Sequence, residues 1–514
     1  MEVLVDQIAK LQLLNQFWLS MFLLIPMVLI SRTIVAGTRY SPILIIVIFG
    51  LTMGYVLVST GVSEPGLPEF PLIDLISRAT IIALTVSFFV GGQELRKIFG
   101  KKEMTVDEMV VVSEEETVLG TKRTQLVFII RSFFLLLGIE GLSRLLLGTE
   151  TEGYLSQFYP LIAYIGLVGA IILIDYKATI KDKHAYMRKG LLEIAAIVAV
   201  LYVSYQIAML VMPLIALPQI FFAMLISAGL GAILYNWTFG PTVRALLFAG
   251  IPVVLAGNFM IGGSRMSDAF NITGMNSVLA YGFFGQLFWM FGGIALLMFV
   301  ARTANARNLA PGMAGALSHS GLTGACTAGD LGKLAANRAP IMINVPFFGH
   351  IFVFSVLAIS AERGALMMGP AFIIVATGLI LTALSLKNLR SSNGEDGKEV
   401  KALMQFSFGW QLCAVFGGLT LLSFTTMPMD YAAMAQTSAI SHFGLFAAVQ
   451  GGMFGSDAAG LIPFIFAMPF LVHPLVFFMF GKAMEKDGEM PKKSVYILAA
   501  IGLVGIVYAL LTAI

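Results

Sequence analysis

The chain has 514 residues, 58% of them hydrophobic and 12% charged, with a mean hydropathy of +0.89 and a formal net charge of +3. That is about half the charge fraction of a soluble globular protein, so an aqueous fold is excluded for most of the chain, and the near-neutral balance gives no reason to expect nucleic acid. The two cysteines, Cys326 and Cys413, lie in apolar stretches and read as buried thiols.

Runs of about 20 apolar residues bounded by charge predict transmembrane helices along the whole chain. In the first half they fall at about 14–31, 41–60, 75–95, 125–147, 158–176, 190–212, 218–236, 244–262 and 277–300. Met1 to Gln12 is mixed polar and does not fit a cleavable leader. Arg32 and Arg39 follow the first span, and Glu64, Glu69 and Asp74 the second. Arg96, Lys97, Lys101, Lys102, Lys122 and Arg123 follow the third, and Glu150 and Glu152 the fourth. Lys177, Lys181, Lys183, Arg188 and Lys189 follow the fifth. Because Lys and Arg accumulate in cytoplasmic loops, the first, third and fifth loops are expected inside and the N-terminus outside. The insert from Lys101 to Arg123, with Glu114-Glu115-Glu116, reads as a solvated cytoplasmic loop.

Two internal repeats organise the chain. The fainter one relates Phe88-Phe89-Val90-Gly91-Gly92-Gln93-Glu94-Leu95 to Phe259-Met260-Ile261-Gly262-Gly263-Ser264-Arg265-Met266, at an offset of 171. The stronger one begins at Ser318-His319 and Ser441-His442. At an offset of 123 it runs without a gap from Ser318 to Arg363, and 16 of the 46 aligned pairs are identical. These include Gly321/Gly444, Gly329/Gly452, Gly332/Gly455, Pro340/Pro463, Pro346/Pro469, His350/His473 and Glu362/Glu485. Upstream the match resumes with a shift of two, pairing Gln286-Leu287 and Phe291-Gly292-Gly293 with Gln411-Leu412 and Phe416-Gly417-Gly418. The expected organisation is an N-terminal membrane domain at 1–275, containing a weak repeat at about 41–100 and 216–272, then core repeat 1 at 276–387. A cytoplasmic linker at 388–402 and core repeat 2 at 403–514 complete it.

The segment Pro311 to Arg338 is rich in glycine and carries Asp330, Lys333 and Arg338. Glycine weakens helices, and a charge at mid-membrane costs about 2.5–3.5 kcal/mol on insertion scales. If this segment and its partner near 431–458 cross fully, the copies are parallel. If both are re-entrant hairpins, the copies are inverted and the basic loop Lys387 to Lys401 is cytoplasmic. The hairpin reading is preferred, because irregular backbone at membrane depth survives only inside protein or along a cavity. The expected fold class is therefore an all-α polytopic membrane protein, with about 14 transmembrane helices, two re-entrant or broken glycine-rich segments and inverted internal repeats.

Gly329-Asp330-Leu331 followed by Ala335-Ala336-Asn337-Arg338 and an apolar helix resembles a segment of the 2-hydroxycarboxylate transporters, which are related in fold to glutamate–sodium symporters. The resemblance covers under a tenth of the chain. It implies that Arg338 meets a substrate carboxylate, although the second copy carries Leu461 at that position.

An ion-coupled secondary transporter of a small anionic solute, of carboxylate or amino-acid type, is the leading expectation. Its polar candidates for substrate contact are Ser318, Ser320, Thr323, Asn337, Arg338, Gln450 and Ser456, and for the coupling ion Asp330 and Asp457. Asp330, Lys333 and Arg338 also suit a local ion pair, and Asp457 a helix end. His319, His350, His442 and His473 occur in matched pairs. They read as histidines bonded to a neighbouring helix, with a proton relay or metal contact as the alternatives. Asn258, Arg265 and Asp268 read as loop and helix-end residues. A cation or metal-ion channel and a membrane-embedded redox or haem protein are the other function classes. The chain shows no nucleotide-binding loop, His-Glu-x-x-His or nucleophile elbow, so no enzyme and no cofactor is expected beyond Na+ or H+. Expected partners are the solute and the lipid bilayer of the cell membrane, with a homodimer left open.

Overall fold

The computed structural model describes residues 2–35, 42–99, 122–148, 155–175, 183–211, 218–300, 305–327, 331–347, 349–392, 396–486 and 488–513. The predicted loop Lys101 to Arg123 lies almost wholly outside them. The described residues are helical, with no strand among them beyond two isolated backbone bridges.

The first half contains α1 (Glu2–Val35), α2 (Pro42–Ser59), α3 (Pro71–Arg78), α4 (Thr80–Phe99), α5 (Lys122–Leu147), α6 (Tyr159–Asp175) and α7 (Lys183–Val211). It closes with α8 (Gln219–Ile233), α9 (Pro241–Ala245), α10 (Ile251–Ser264) and the short α11 (Met266–Phe270). Prolines at the first helical position start α2, α3 and α9, where the missing N–H would be unpaired anyway. The second half contains α12 (Met275–Val300), α13 (Ala306–Leu317), α14 (Ser320–Thr327), α15 (Lys333–Phe347), α16 (His350–Arg363) and α17 (Met368–Ser391). Its later copy contains α18 (Asp396–Leu412), α19 (Gly418–Leu422), α20 (Met429–Ile440), α21 (Phe443–Gln450), α22 (Ser456–Ala467), α23 (His473–Glu485) and α24 (Lys492–Thr512).

Twelve stretches among the described residues are long and apolar enough to cross a membrane. The chain is thus a multi-pass helical membrane protein. Burial sorts these stretches into layers. Only 28% of the apolar window is buried in α17 and in α24, against 89% in the stretch Pro241–Ser264. The poorly buried helices turn Ile373, Ile380, Val504 and Leu511 outward, as a lipid-facing surface requires, while α10 runs through the centre.

Packing is crosswise. In the N-terminal half α2 packs on α10 and α4 packs on α8. Glycine makes these approaches. A methyl on Gly92 would overlap the Ala228 carbonyl oxygen, and one on Gly263 would overlap that of Leu51. The two positions are 171 apart, and their neighbours Gln93 and Ser264 do similar work. Gln93 Nε2 donates to the carbonyls of Leu234 (2.8 Å) and Trp237 (3.0 Å) after α8, while Ser264 Oγ accepts from Gly66 N (3.0 Å) after α2.

In the C-terminal half the first helix of each copy takes its neighbours from the other copy. Helix α12 packs on α20 and α24, and α18 packs on α13 and α17. The halves meet through α4 on α15 and α10 on α22. At the basic end of the body, Ala306 N donates to Gly488 O (2.7 Å), Asn308 Nδ2 to Glu399 Oε1 (2.7 Å), and Gly332 faces Met484. At the far end, Ser277 bonds Thr512 (3.2 Å) and Thr426 Oγ1 donates to Ala513 O (3.0 Å).

Candidate functional site

The helices α13 and α20 both stop on a serine in the left-handed region, Ser318 at φ 48° and Ser441 at φ 51°. A side chain is rarely tolerated there. Each serine is followed by a histidine whose backbone bridges its counterpart, His319 to His442 in antiparallel sense, and Phe443 N donates to Ser318 O (3.3 Å). The two equivalent chain reversals therefore touch at a single buried point.

Each histidine then caps the helix that follows. Leu322 N donates to His319 Nδ1 (3.0 Å), and Leu445 N donates to His442 Nδ1 (3.0 Å). The other nitrogens reach across between copies. His319 Nε2 lies 2.9 Å from His473 Nε2, and His442 Nε2 lies 3.0 Å from His350 Nε2. All four rings are buried, at 2% exposure or less. Two glutamines complete the arrangement. The Gln411 side-chain amide lies 2.8 Å from Ser318 Oγ and 3.0 Å from His442 Nε2. The Gln286 side-chain amide contacts His319 Nε2 and lies 3.1 Å from Ser441 Oγ. The result is two pairs of imidazoles related by the duplication, each bridging one copy to the other.

A cleft of ≈ 490 Å³ opens at the far end, between α3, α10 and the α21–α22 turn. Its polar lining includes Asp74, Arg78, Arg265, Gln450 and Ser456. Arg78 Nε pairs with Asp74 (2.9 Å) and Arg265 with Asp268 (3.4 Å), but these groups are 37–48% exposed. Such surface pairs are worth about 0–1 kcal/mol, so either guanidinium can turn to an arriving anion at little cost. Beside the cleft, Asn258 Nδ2 donates to the carbonyls of Ser77 and Val254 (3.1 Å each), and its oxygen accepts from Gln450 Nε2 (2.7 Å). Asn258 is 1% exposed and interior to α10, so it ties the α3–α4 break to the end of α21 rather than serving a loop.

The residues expected from sequence fall in three places. Ser318 and the four histidines meet at the central junction. Gln450 and Ser456 line the cleft, with Asp457 exposed in the first turn of α22 at its edge. Thr323 and Arg338 are buried on α14 and α15. Asp330 and the side chains of Ser320 and Asn337 lie outside the described residues. Gln286, Gln411 and Ser441 were not among the sequence candidates. Their signal was present, since the two glutamines align across the duplication and Ser441 matches Ser318. Among the described residues no group of three or more His, Cys, Asp or Glu is placed to hold a metal ion.

No family model, curated protein or solved structure matches this chain.

Proposed function

We propose that this chain is an ion-coupled secondary active transporter of a small anionic solute, working by alternating access. The observation that carries the reading is the central junction, where two sequence-equivalent chain reversals meet and each copy is bonded to the other. On this reading 306–327 and 429–450 are re-entrant hairpins. The first starts beside Gly488, and the chain resumes at Gly332 beside Met484, both at the basic end. The second starts next to Thr426 and ends on the cleft at Gln450, both at the far end. Entry from opposite ends makes the two copies inverted. The short apolar helix at Gln219–Ile233 and the broken pair α15–α16 then bring the crossings to fourteen. Inverted repeats meeting at broken helices supply two near-equivalent states, open to either side.

The topology has a direct check. The basic end carries Arg307, Lys398, Lys401, Lys486 and Lys492, so it is assigned to the cytoplasm. A cysteine introduced as Ser391→Cys should resist a membrane-impermeant thiol reagent applied outside intact cells, whereas Thr426→Cys should label readily. Both positions are exposed, and the native Cys326 and Cys413 are buried and should stay silent. Labelling at 391 but not 426 is the pattern expected of fully crossing segments and would refute the hairpin topology. Equal labelling would show that α18, the only candidate span between the two sites among the described residues, does not cross.

The solute enters at the far-end cleft, where Arg78 and Arg265 offer planar forks suited to a carboxylate. Arg338, buried on α15, is the candidate that holds the carboxylate deeper in the protein. Purified protein should gain thermal stability with a di- or tricarboxylate or an acidic amino acid, by about 2.7 kcal/mol at a hundredfold excess over Kd. Arg338→Ala should remove most of that gain, and Arg338→Lys should weaken it. A screen of carboxylates and amino acids, with and without Na+, that shifts nothing would end the proposed solute class. The coupling ion has two candidate seats, the acids Asp330 and Asp457 or the paired histidines.

A further inference from the structure

We infer that the coupling ion is the proton and that its binding sites are the two crossed histidine pairs, His319–His473 and His442–His350. The inference rests on the transporter reading for its role, but its chemistry follows from the junction alone.

A neutral imidazole has one N–H and one bare nitrogen. The Leu322 N–H already donates to His319 Nδ1, so that nitrogen is bare and the hydrogen sits on Nε2. It is therefore donated across 2.9 Å to His473 Nε2, which leaves the hydrogen of His473 on Nδ1. His473 Nδ1 is buried and has no hydrogen-bond partner among the described residues. The same reasoning places the hydrogen of His442 on Nε2, facing His350 across 3.0 Å, with Leu445 N on its Nδ1. The amides of Gln286 and Gln411 must then turn their oxygens to His319 Nε2 and His442 Nε2, since two N–H groups cannot face each other, and each Nε2 hydrogen is shared between that oxygen and the facing ring. Each pair thus holds one hydrogen between its facing nitrogens and is complete only when both rings are neutral.

An added proton has two places to go, and each breaks a contact. On His319 Nδ1 it sets a second N–H against the Leu322 N–H, and the cap of α14 is lost. On His473 Nε2 it sets two N–H groups face to face, and the bond between the copies is lost. The first outcome also puts a cation at the start of a helix, where the backbone dipole opposes it. The paired form therefore holds fewer protons than the opened form, and by linkage a falling pH favours opening. What opens is a hairpin. His319 ties the 306–327 segment to α23 of the other copy, and His442 ties the 429–450 segment to α16. Binding of the ion is thereby converted into release of the elements that alternating access must move.

Among the described residues no charged group is found against the pairs. Around the pairs α12 carries one titratable group, the buried phenol of Tyr281, which donates to Gln436 Oε1 (2.9 Å); Asp430 and Tyr431 stand in the first turn of α20, and Arg307 in the first turn of α13. On α23 the nearest charge to His473 is Lys482, roughly 13 Å along the axis at 1.5 Å per residue. Glu362 and Arg363 end α16, and Lys398, Glu399 and Lys401 lie in the first half of α18, well before Gln411. On α15, Lys333 opens the helix, and Arg338 lies one turn before Met342, the residue whose backbone meets Gly315. That places Arg338 level with the body of α13 rather than with His319.

The test needs no solute. Hydrogen exchange of the purified full chain in nanodiscs would be followed by mass spectrometry at about pH 8 and about pH 5, either side of the ordinary imidazole value near 6.5, with intrinsic exchange rates divided out. In the wild type, peptides covering 318–327 and 441–450 should exchange about fivefold faster at the lower pH, the factor expected for a lost helix cap. His319→Asn keeps a cap that cannot titrate, and His473→Gln removes the facing ring. Either should abolish the pH response of 318–327 and leave that of 441–450 intact. His442→Asn and His350→Gln should do the reverse. A wild-type protein whose hairpins show no pH response would overturn the proposal, as would variants that leave the response unchanged in their own hairpin. The wild-type measurement decides even if a variant fails to fold. If the hairpins respond as expected but no solute moves in proteoliposomes, it is the transporter reading that fails.

Discussion

Gly263→Leu should abolish the stable fold, and even Gly263→Ala should cost most of the range of about 1–3 kcal/mol seen for overpacking. The reason is what stands opposite. A Cβ at Gly263 would overlap the Leu51 carbonyl oxygen, and its nearest neighbours are all backbone, which cannot rotate away. Gly54 on the facing helix is in the same position against Met260. The crossing of α2 and α10 therefore depends on glycine from both sides, and a side chain would have to push the two helices apart along their length. Because α10 also carries Asn258 and borders the cleft, separation there would disturb the end of α21 as well. The check is thermal unfolding of the detergent-purified protein beside Gly229→Ala. Gly229 has open space where its Cβ would be, and that substitution should be neutral or mildly stabilising. Equal behaviour of the two variants would refute the close-approach argument.

Glu193→Ala should destabilise the protein by at least about 3 kcal/mol, since each buried N–H left without an acceptor costs about 1–3 kcal/mol. Glu193 lies on α7, 5% exposed, and its carboxylate gathers the start of α9. Gly240 N donates to Oε1 (2.5 Å), Thr242 N and Val243 N to Oε2 (3.1 Å each), and Trp237 Nε1 to Oε1 (3.3 Å). The three backbone donors are N–H groups that a helix start leaves unpaired, and a carboxylate there also suits the helix dipole. Glu193→Gln keeps one oxygen acceptor and should fall between the wild type and Glu193→Ala. A melting temperature for Glu193→Ala within a degree or so of wild type would show that water replaces the carboxylate. That position would then be wetter than its burial implies.

The amino-acid sequence by itself determined the solvent and the element type. A chain this apolar must satisfy its backbone inside its own helices, so an all-helical membrane body follows from composition and span length before any contact is known. The sequence also carried the equivalences, at offsets of 123 and 171. It could not carry the contacts. An offset says that His319 corresponds to His442 and His350 to His473. The rings that meet are instead His319 with His473 and His442 with His350, because each copy packs on elements of the other. Sequence similarity reports common local structure, whereas which elements meet is a property of the assembled body. The same holds for Gln286 and Gln411. Their match was visible, but in an apolar helix a glutamine reads as one polar position among many until a histidine is found against it. Glu193 carried no local signal at all, since three of its partners are backbone groups 47 to 50 residues later that any sequence would supply, and the fourth is the Trp237 indole. Tertiary structure alone decided that these side chains are buried and paired. In a low-dielectric interior an unpaired polar group is the costly alternative.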